Sequence, residues 1–316
     1  MLSRTADHLF WMARYTERAE NTARMLDITV QTSLLPQSEA EVEQSWRAML
    51  SISELQSAFD EKYDALTPQN VLAFMARDPG NPSSIASCLR AARENARAVR
   101  GALTTEVWET QNTIWLDLQN LLKDGLLEKV PSQFFEWVKY RSHLSRGVTI
   151  GTMLKDEAFH FIRLGTFLER ADNTARLLDI KFHGAAKTEL PEHDNQIDFY
   201  YWAAILRSVS GFEVYRKVYR DVITPQRVAQ LLILRADMPR SLLACMDEVV
   251  SNLKSVSNNG SSETERLAGK LHAELKFGRI EEIQEEGLHD FLTAFLERIF
   301  KLGNRLSHDF LVPLQS

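Results

Sequence analysis

Glu17, Asn21 and Arg24 carry the chemistry that stands out in this chain, and Glu169, Asn173 and Arg176 repeat it at the same spacing. A glutamate can receive an amine or pass a proton. An arginine can grip a carboxylate or phosphate with two parallel N–H groups, and an asparagine offers both donor and acceptor. On a helical wheel turning ~100° per residue, Asn21 and Arg24 fall within about 40° of Glu17. Phe10, Ala13 and Ile28 flank this strip, and the opposite face carries His8, Met12, Tyr15, Ala19, Thr22 and Leu26. Both faces are apolar or small, which is the pattern of a central helix.

Surface polar residues exchange at a cost of a few tenths of a kcal/mol, whereas buried carboxylates and guanidiniums must find partners. Two readings of the strips follow. In one, they form a closed network in which the Glu of one copy meets the Arg of the other near a pseudo-twofold axis. In the other, Arg24 and Arg176 grip an anionic group while Glu17 and Glu169 receive an amine or move a proton. Arg14 joins the candidate ligand-binding residues because the second copy has Thr166 in its place. Arg18 and Arg170, ~100° around the helix, are expected to pair with acids at the bundle surface. Glu20 lies one turn before Arg24, the favourable order for a helix-supporting pair. Thr22 and Thr174 read as packed residues rather than nucleophiles.

Other constellations are weaker. Two Glu-x-x-His runs, Glu157 to His160 and Glu286 to His289, invite a dinuclear metal reading. The counterpart of Glu157 is Thr5, however, so the pattern breaks the repeat, and no metal or cofactor is assigned. His8 and His160 lie on apolar faces, where a hydrogen-bonded core histidine is the common case. Cys88 and Cys245 occupy equivalent places in amphipathic helices and read as small core residues. Arg90, Arg93, Arg97 and Arg100 share one side of a helix, which reads as a solvated face. Phosphate-cradling glycine loops, Cys-x-x-Cys pairs and nucleophile elbows are absent from the sequence.

The elements that must position these residues are helices. Strand alternation and hairpin turns are missing, and helical periodicity runs almost throughout. Breaks fall at Leu35-Pro36-Gln37-Ser38, Thr67-Pro68, Asp78 to Pro82, Val130-Pro131, Leu190-Pro191-Glu192, Thr224-Pro225 and Ser257 to Gly260. Thr67-Pro68 and Thr224-Pro225 read as a cap followed by proline at the first helical position. The expectation is an all-α, internally duplicated multi-helix bundle of about a dozen helices, the longest near 2–34, 155–184 and 280–312.

Duplication organises the whole. His8 to Ile28 aligns without gaps on His160 to Ile180, with 11 of 21 positions identical. Trp46 then pairs with Trp202, Thr67 with Thr224, Pro82 with Pro239 and Cys88 with Cys245, at a spacing of 152–157 residues. The correspondence fades after Arg100. Two pseudo-symmetric halves, 1–154 and 155–316, are expected to share one core.

Bulk properties narrow the function classes. The chain has 316 residues, is 44% hydrophobic and 25% charged, and carries a net charge of −6, which argues against a general nucleic-acid binder. Two cysteines supply no disulfide framework and suit a reducing cytoplasm. The first twenty residues lack the apolar core of a signal peptide, and no stretch approaches the ~20 apolar residues of a membrane span. A cytoplasmic location is expected, and the sequence is compatible with a homo-oligomer.

Leu2-Ser3-Arg4, Trp11, Arg14-Tyr15, Glu17 to Asn21 and Ala23-Arg24 together resemble the bacterial alpha-E family. Asp156, Leu168 to Asp172 and Thr174 to Arg176 look like its internal counterpart. The resemblance covers essentially the whole chain; Thr166, facing Arg14 in the alignment, departs from it and suggests a one-sided site. It implies an all-helical fold and company with circularly permuted ATP-grasp amide ligases and transglutaminase-like proteins. That company implies a role in making or modifying a peptide or amino-acid conjugate, through an amino-acid or peptide ligand or the ligase itself. An enzyme using the glutamates as general acid or base, with metal assistance as a variant, and a purely structural scaffold are the rival expectations. The resemblance transfers no catalytic residue.

Overall fold

The computed structural model describes residues 1–36, 38–184 and 195–311. Gln37 and the Leu190-Pro191-Glu192 break lie outside the described residues. Sixteen α-helices run through the described chain. The first eight are α1 (Ser3–Ser33), α2 (Glu39–Ile52), α3 (Gln56–Asp60), α4 (Pro68–Ala76), α5 (Ile85–Ala98), α6 (Thr105–Lys123), α7 (Leu126–Lys129) and α8 (Pro131–Thr152). The second eight are α9 (Glu157–Gly184), α10 (Asn195–Ser208), α11 (Phe212–Tyr219), α12 (Pro225–Leu234), α13 (Leu242–Val256), α14 (Ser262–Phe277), α15 (Ile280–Glu286) and α16 (Leu288–Phe310). No strand occurs among the described residues.

The all-α expectation holds, with more helices than the dozen expected because short turns such as α3 and α7 stand as separate elements. The long helix expected near 280–312 is two helices. Gly287 divides it with φ of 100°, a backbone region that glycine enters without a Cβ penalty.

Helix starts follow local chemistry. The hydroxyls of Thr67 and Thr224 accept from the backbone N–H of Asn70 (3.2 Å) and Arg227 (3.3 Å), with Pro68 and Pro225 opening the helices. Ser84 and Ser241 cap α5 and α13 in the same way. Helix ends match too. Glu54 and Ser210 turn left-handed (φ 57° and 55°) just beyond α2 and α10. Leu55 N–H then returns to Leu50 carbonyl (2.9 Å), and Gly211 N–H to Leu206 carbonyl (2.7 Å), closing both helices with a Schellman-type bond.

At the centre, α1 packs most extensively on α9 and on α5, while α13 packs on α9. α8 lies on α1 and α16 on α9, and α2 reaches over to α9 as α10 reaches over to α1. Close approach of the two central helices depends on Gly165, where a Cβ would sit 2.3 Å from the Phe10 carbonyl oxygen and 3.3 Å from Ala13 Cβ. The buried apolar side chains of all these elements form a continuous cluster. His8 and His160 each hand Nδ1 to an asparagine, Asn95 on α5 and Asn252 on α13, at 2.8 Å.

Candidate functional site

The tight crossing at Ala13 and Gly165 places the next turn of each central helix, with its Glu-Arg dipeptide, against the other. Glu17 is 1% exposed, and its carboxylate takes both oxygens' worth of bonds from Arg170: Nε to Oε1 at 2.9 Å and Nη2 to Oε2 at 3.0 Å. Arg18 returns the arrangement to Glu169, with Nε to Oε1 at 2.6 Å and Nη2 to Oε2 at 3.1 Å. These are the paired, bidentate bonds that make burial of such charges tolerable. Arg18 and Arg170 therefore do not sit at the bundle surface as expected. The flank they occupy faces the partner helix, because Gly165 lets α1 and α9 approach so closely.

The glutamate of each central helix does meet an arginine of the other helix, but that arginine is the neighbour in the dipeptide, not Arg24 or Arg176. Those two have a different task. Arg24 Nη1 donates to the Ser208 carbonyl, the end of α10, and to Ser210 Oγ at 3.2 Å. Arg176 Nη1 donates to the Ile52 carbonyl at 2.9 Å, the end of α2, and to Glu54 Oε1 at 2.9 Å. Each arginine thus satisfies a terminal carbonyl of a helix distant in the chain, α10 for Arg24 and α2 for Arg176, where the macrodipole favours a cation.

Beyond this shared frame the two sides differ. On the Glu169 side, Arg14 completes the carboxylate with Nε to Oε2 at 2.7 Å, while Arg14 itself lies over the Trp11 ring. Asn173 donates Nδ2 to the Glu169 carbonyl at 2.7 Å, and Arg176 pairs with Asp172 at 2.9 Å. Burial opposes ionisation of Glu169, but Arg18 and Arg14 outweigh it and hold its carboxyl down at about 2. Asp172 is pushed up by burial, against the pull of Arg176.

On the Glu17 side, two further arginines arrive from distant elements. Arg146 of α8 donates to Glu17 Oε2 at 2.9 Å and also to Glu20. Arg240, just before α13, donates to Asn21 Oδ1 at 3.0 Å and to Glu20, and approaches Glu17 Oε1 at 3.3 Å. Glu20 has no exposed surface and also receives Arg24 Nε at 2.9 Å and Ser142 Oγ at 2.6 Å. It is therefore far more than a helix-supporting partner. Burial works against its charge, yet Arg240, Arg146 and Arg24 hold it well below the ordinary carboxylate range. Glu17 is likewise lowered, by Arg170 against burial and Glu20. Burial, together with like-charged Arg24 and Arg170, pulls Arg240 down to about 10 despite both glutamates.

Two small cavities border this cluster. One, about 20 Å³, is lined by Glu17, Arg146, Arg163, Thr166 and Gln111. Thr166 there leaves unfilled the place that Arg14 occupies on the other side. The second, about 10 Å³ and so no larger than one water needs, is lined by Asn21, Arg24, Arg240 and Asn173 with Met25, Leu177 and Val209. The six candidates on the polar strips and Arg14 thus lie along the α1–α9 seam.

Arg146, Arg240, Ser142 and His143, whose Nδ1 lies 2.8 Å from Arg146 Nη2, are not picked out by the spacing of the sequence. Arg240 carried a usable signal, since it replaces Ser83 within an otherwise matched helix start. Arg146, Ser142 and His143 lie where the internal correspondence has faded. The Glu-x-x-His runs are separated by their partners: His160 turns to Asn252, and His289 to Asp179 at 2.7 Å. Among the described residues no cluster of three or more His, Cys, Asp or Glu is arranged to hold a metal ion. Burial pushes the Cys88 and Cys245 thiols up to about 12, as suits inert core residues. Among the described residues, no helix is long and apolar enough to cross a membrane.

Comparison with known proteins sets this geometry in a family. Residues 1–311 match the family model for Alpha-E, described as a predicted alpha-helical domain with a conserved ER motif. The Glu17-Arg18 and Glu169-Arg170 dipeptides that lock the central helices together are ER pairs in this chain. Uncharacterised proteins of Mycobacterium bovis and Mycobacterium tuberculosis are each 24% identical to it over 324 residues, covering 94% of this chain. The match takes in 35% of each relative, so the chain spans about a third of the length of the curated relatives it matches. No solved structure matches it significantly.

Proposed function

The chain belongs to the Alpha-E family, and from that premise we propose that it is a helical binding component of a peptide- or amide-forming system. In this reading it acts beside an ATP-grasp-type ligase and binds an amino-acid-like or peptide ligand, or the ligase itself, at the seam between its halves. The halves, 1–154 and 155–316, derive in this reading from one duplicated unit that shares a core, and the setting is the cytoplasm. One observation carries the preference for binding over acid-base chemistry. Glu17, Glu20 and Glu169 are each held ionised by two or more guanidiniums. A general acid or base needs a pKa near its working pH, and carboxylates gripped this way are driven away from it.

Isothermal titration of the purified chain with amino acids, short peptides and an ATP-grasp ligase from the same organism tests this. Saturable heat with any of them supports the reading, and silence toward all sinks it. A scaffold role is the second reading, favoured by the reciprocal Glu17–Arg170 and Glu169–Arg18 bonds. It expects Glu17→Gln to lower stability without changing any binding. An enzyme using Glu17 would instead lose turnover in that variant while its unfolding curve stayed in place.

A further inference from the structure

Helix α8 packs on α1 and α6 and leaves its outer face to solvent. At ~100° per residue, Glu136, Tyr140, Leu144, Gly147 and Gly151 fall within about 80° of one another on that face. Tyr140 is 69% exposed, Leu144 44% and Ile150, at the edge of the stripe, 52%. The two glycines have no use within the chain. A Cβ at either would meet nothing within 4 Å, and neither has the positive φ that calls for glycine. Glycine weakens a helix relative to alanine, so the monomer alone gives no reason for them.

Helix α16, which lies on α9 as α8 lies on α1, shows what a solvated outer face looks like. At the same spacing it exposes Thr293, Glu297, Lys301, Asn304 and His308, with Phe300 as the one large apolar residue beside them. The α8 face instead gathers exposed apolar side chains into one patch, the mark of a contact surface.

That patch is complementary to itself. When two copies run antiparallel with a twofold axis between Ser145 and Arg146, Tyr140 of each comes opposite Gly151 of the other, and Leu144 opposite Gly147. Each large side chain then meets a notch that lacks a Cβ, which lets the helices approach closely. The ends match in charge. Glu136 opens the face, and exposed Lys155, just beyond its far end, makes no ion pair among the described residues. The acids next to Lys155 are engaged, Asp156 accepting from the Phe159 N–H at 3.3 Å and Glu157 holding the terminal amine. Antiparallel pairing brings Glu136 of one copy to Lys155 of the other at both ends. Like charges do not meet near the axis, because Arg141 is paired with Asp117 and Arg146 with Glu17 and Glu20.

We propose that this face of α8 is the surface through which two copies of the chain pair, antiparallel and about a twofold axis. The inference stands apart from the ligand reading and survives its failure. The 22 residues of α8 make a helix about 33 Å long and 10 Å across, short of the ~800 Å² that a standard interface takes from each partner, so the dimer is a weak one. Sedimentation velocity of the whole chain tests it, from low micromolar to a few hundred micromolar. A monomer–dimer equilibrium with a midpoint in the tens of micromolar is expected. Gly147→Ala combined with Gly151→Ala should melt no lower than the parent in dilute solution, yet weaken dimerisation by roughly tenfold or more, because the notches are filled. Glu136→Lys should weaken it roughly three- to tenfold, and adding Lys155→Glu should return it to within about twofold of the parent. A chain that stays monomeric throughout, a glycine variant that dimerises as the parent does, or a charge-swapped double variant that regains nothing would each overturn the proposal.

Discussion

The Glu17 side and the Glu169 side of the seam share a frame and differ in what fills it. Each has a glutamate gripped by the arginine of the opposite dipeptide, and each has an arginine reaching across to a helix end. On the Glu169 side Arg14 closes the space from the same central helix, and three arginines meet three carboxylates. On the Glu17 side Thr166 leaves that space, and Arg146 and Arg240 come in from α8 and the loop before α13. The balanced side has what a structural joint requires. The other side has two more guanidiniums than carboxylates, an imbalance that the frame common to both sides does not require.

The sharpest way to break this contrast is to remove one carboxylate from each side. Glu20→Gln leaves one carboxylate among three buried guanidiniums and the partly exposed Arg146, and should cost about 3–5 kcal/mol in chemical denaturation. Glu169→Gln should cost less, about 1–3 kcal/mol, because Arg14 and Arg18 retain partial access to water. Equal losses would show that the two sides are energetically alike.

Acid titration sharpens the same point. The Glu169 carboxyl is depressed in the folded protein to about 2 from an ordinary 4.5. A depressed carboxylate stabilises the fold fully above its unfolded value and loses that contribution as pH falls through the folded one. About 3 kcal/mol should therefore disappear between pH 4.5 and 2, and Glu169→Gln should flatten that part of the stability-against-pH curve. An unchanged curve would contradict the pairing.

The crossing that both sides depend on is tested by Gly165→Ala. Its Cβ would lie 2.3 Å from a backbone oxygen, so the helices must part, at about 1–3 kcal/mol in denaturant midpoint measurements. Both glutamate–arginine pairs should loosen together. Smallest of all is the contrast between the helix-end arginines. Arg24→Met should cost about 1–2 kcal/mol and Arg176→Met under about 1 kcal/mol. Arg24 is almost wholly buried, whereas the Arg176 side chain keeps 25% of its surface exposed. Thermal melts would reverse the order if Arg176 bore the greater load.

Particular residues show how much of this was legible beforehand. The central helices, their polar strips and the caps at Thr67 and Thr224 could be read because each is local: periodicity and capping act within a few residues along the chain. Arg18 and Arg170, expected at the bundle surface, instead meet the glutamates of the opposite helix. Their angle on the wheel says which flank they occupy, not whether water or another helix covers it. Glu20 was undervalued for the same reason, since its i,i+4 bond to Arg24 is visible in the sequence while Ser142, Arg146 and Arg240 lie more than a hundred residues away.

By itself, then, the sequence determined an all-helical chain with two matched central helices and the residue types at their seam. It did so because helical propensity, amphipathic spacing and capping are properties of short segments. Only the tertiary structure decided which arginine each glutamate holds, and why one side carries charge to spare. Those partners are brought together by the close crossing at Gly165 and by α8 and the loop before α13, and charge balance in a buried site depends on every group that arrives there.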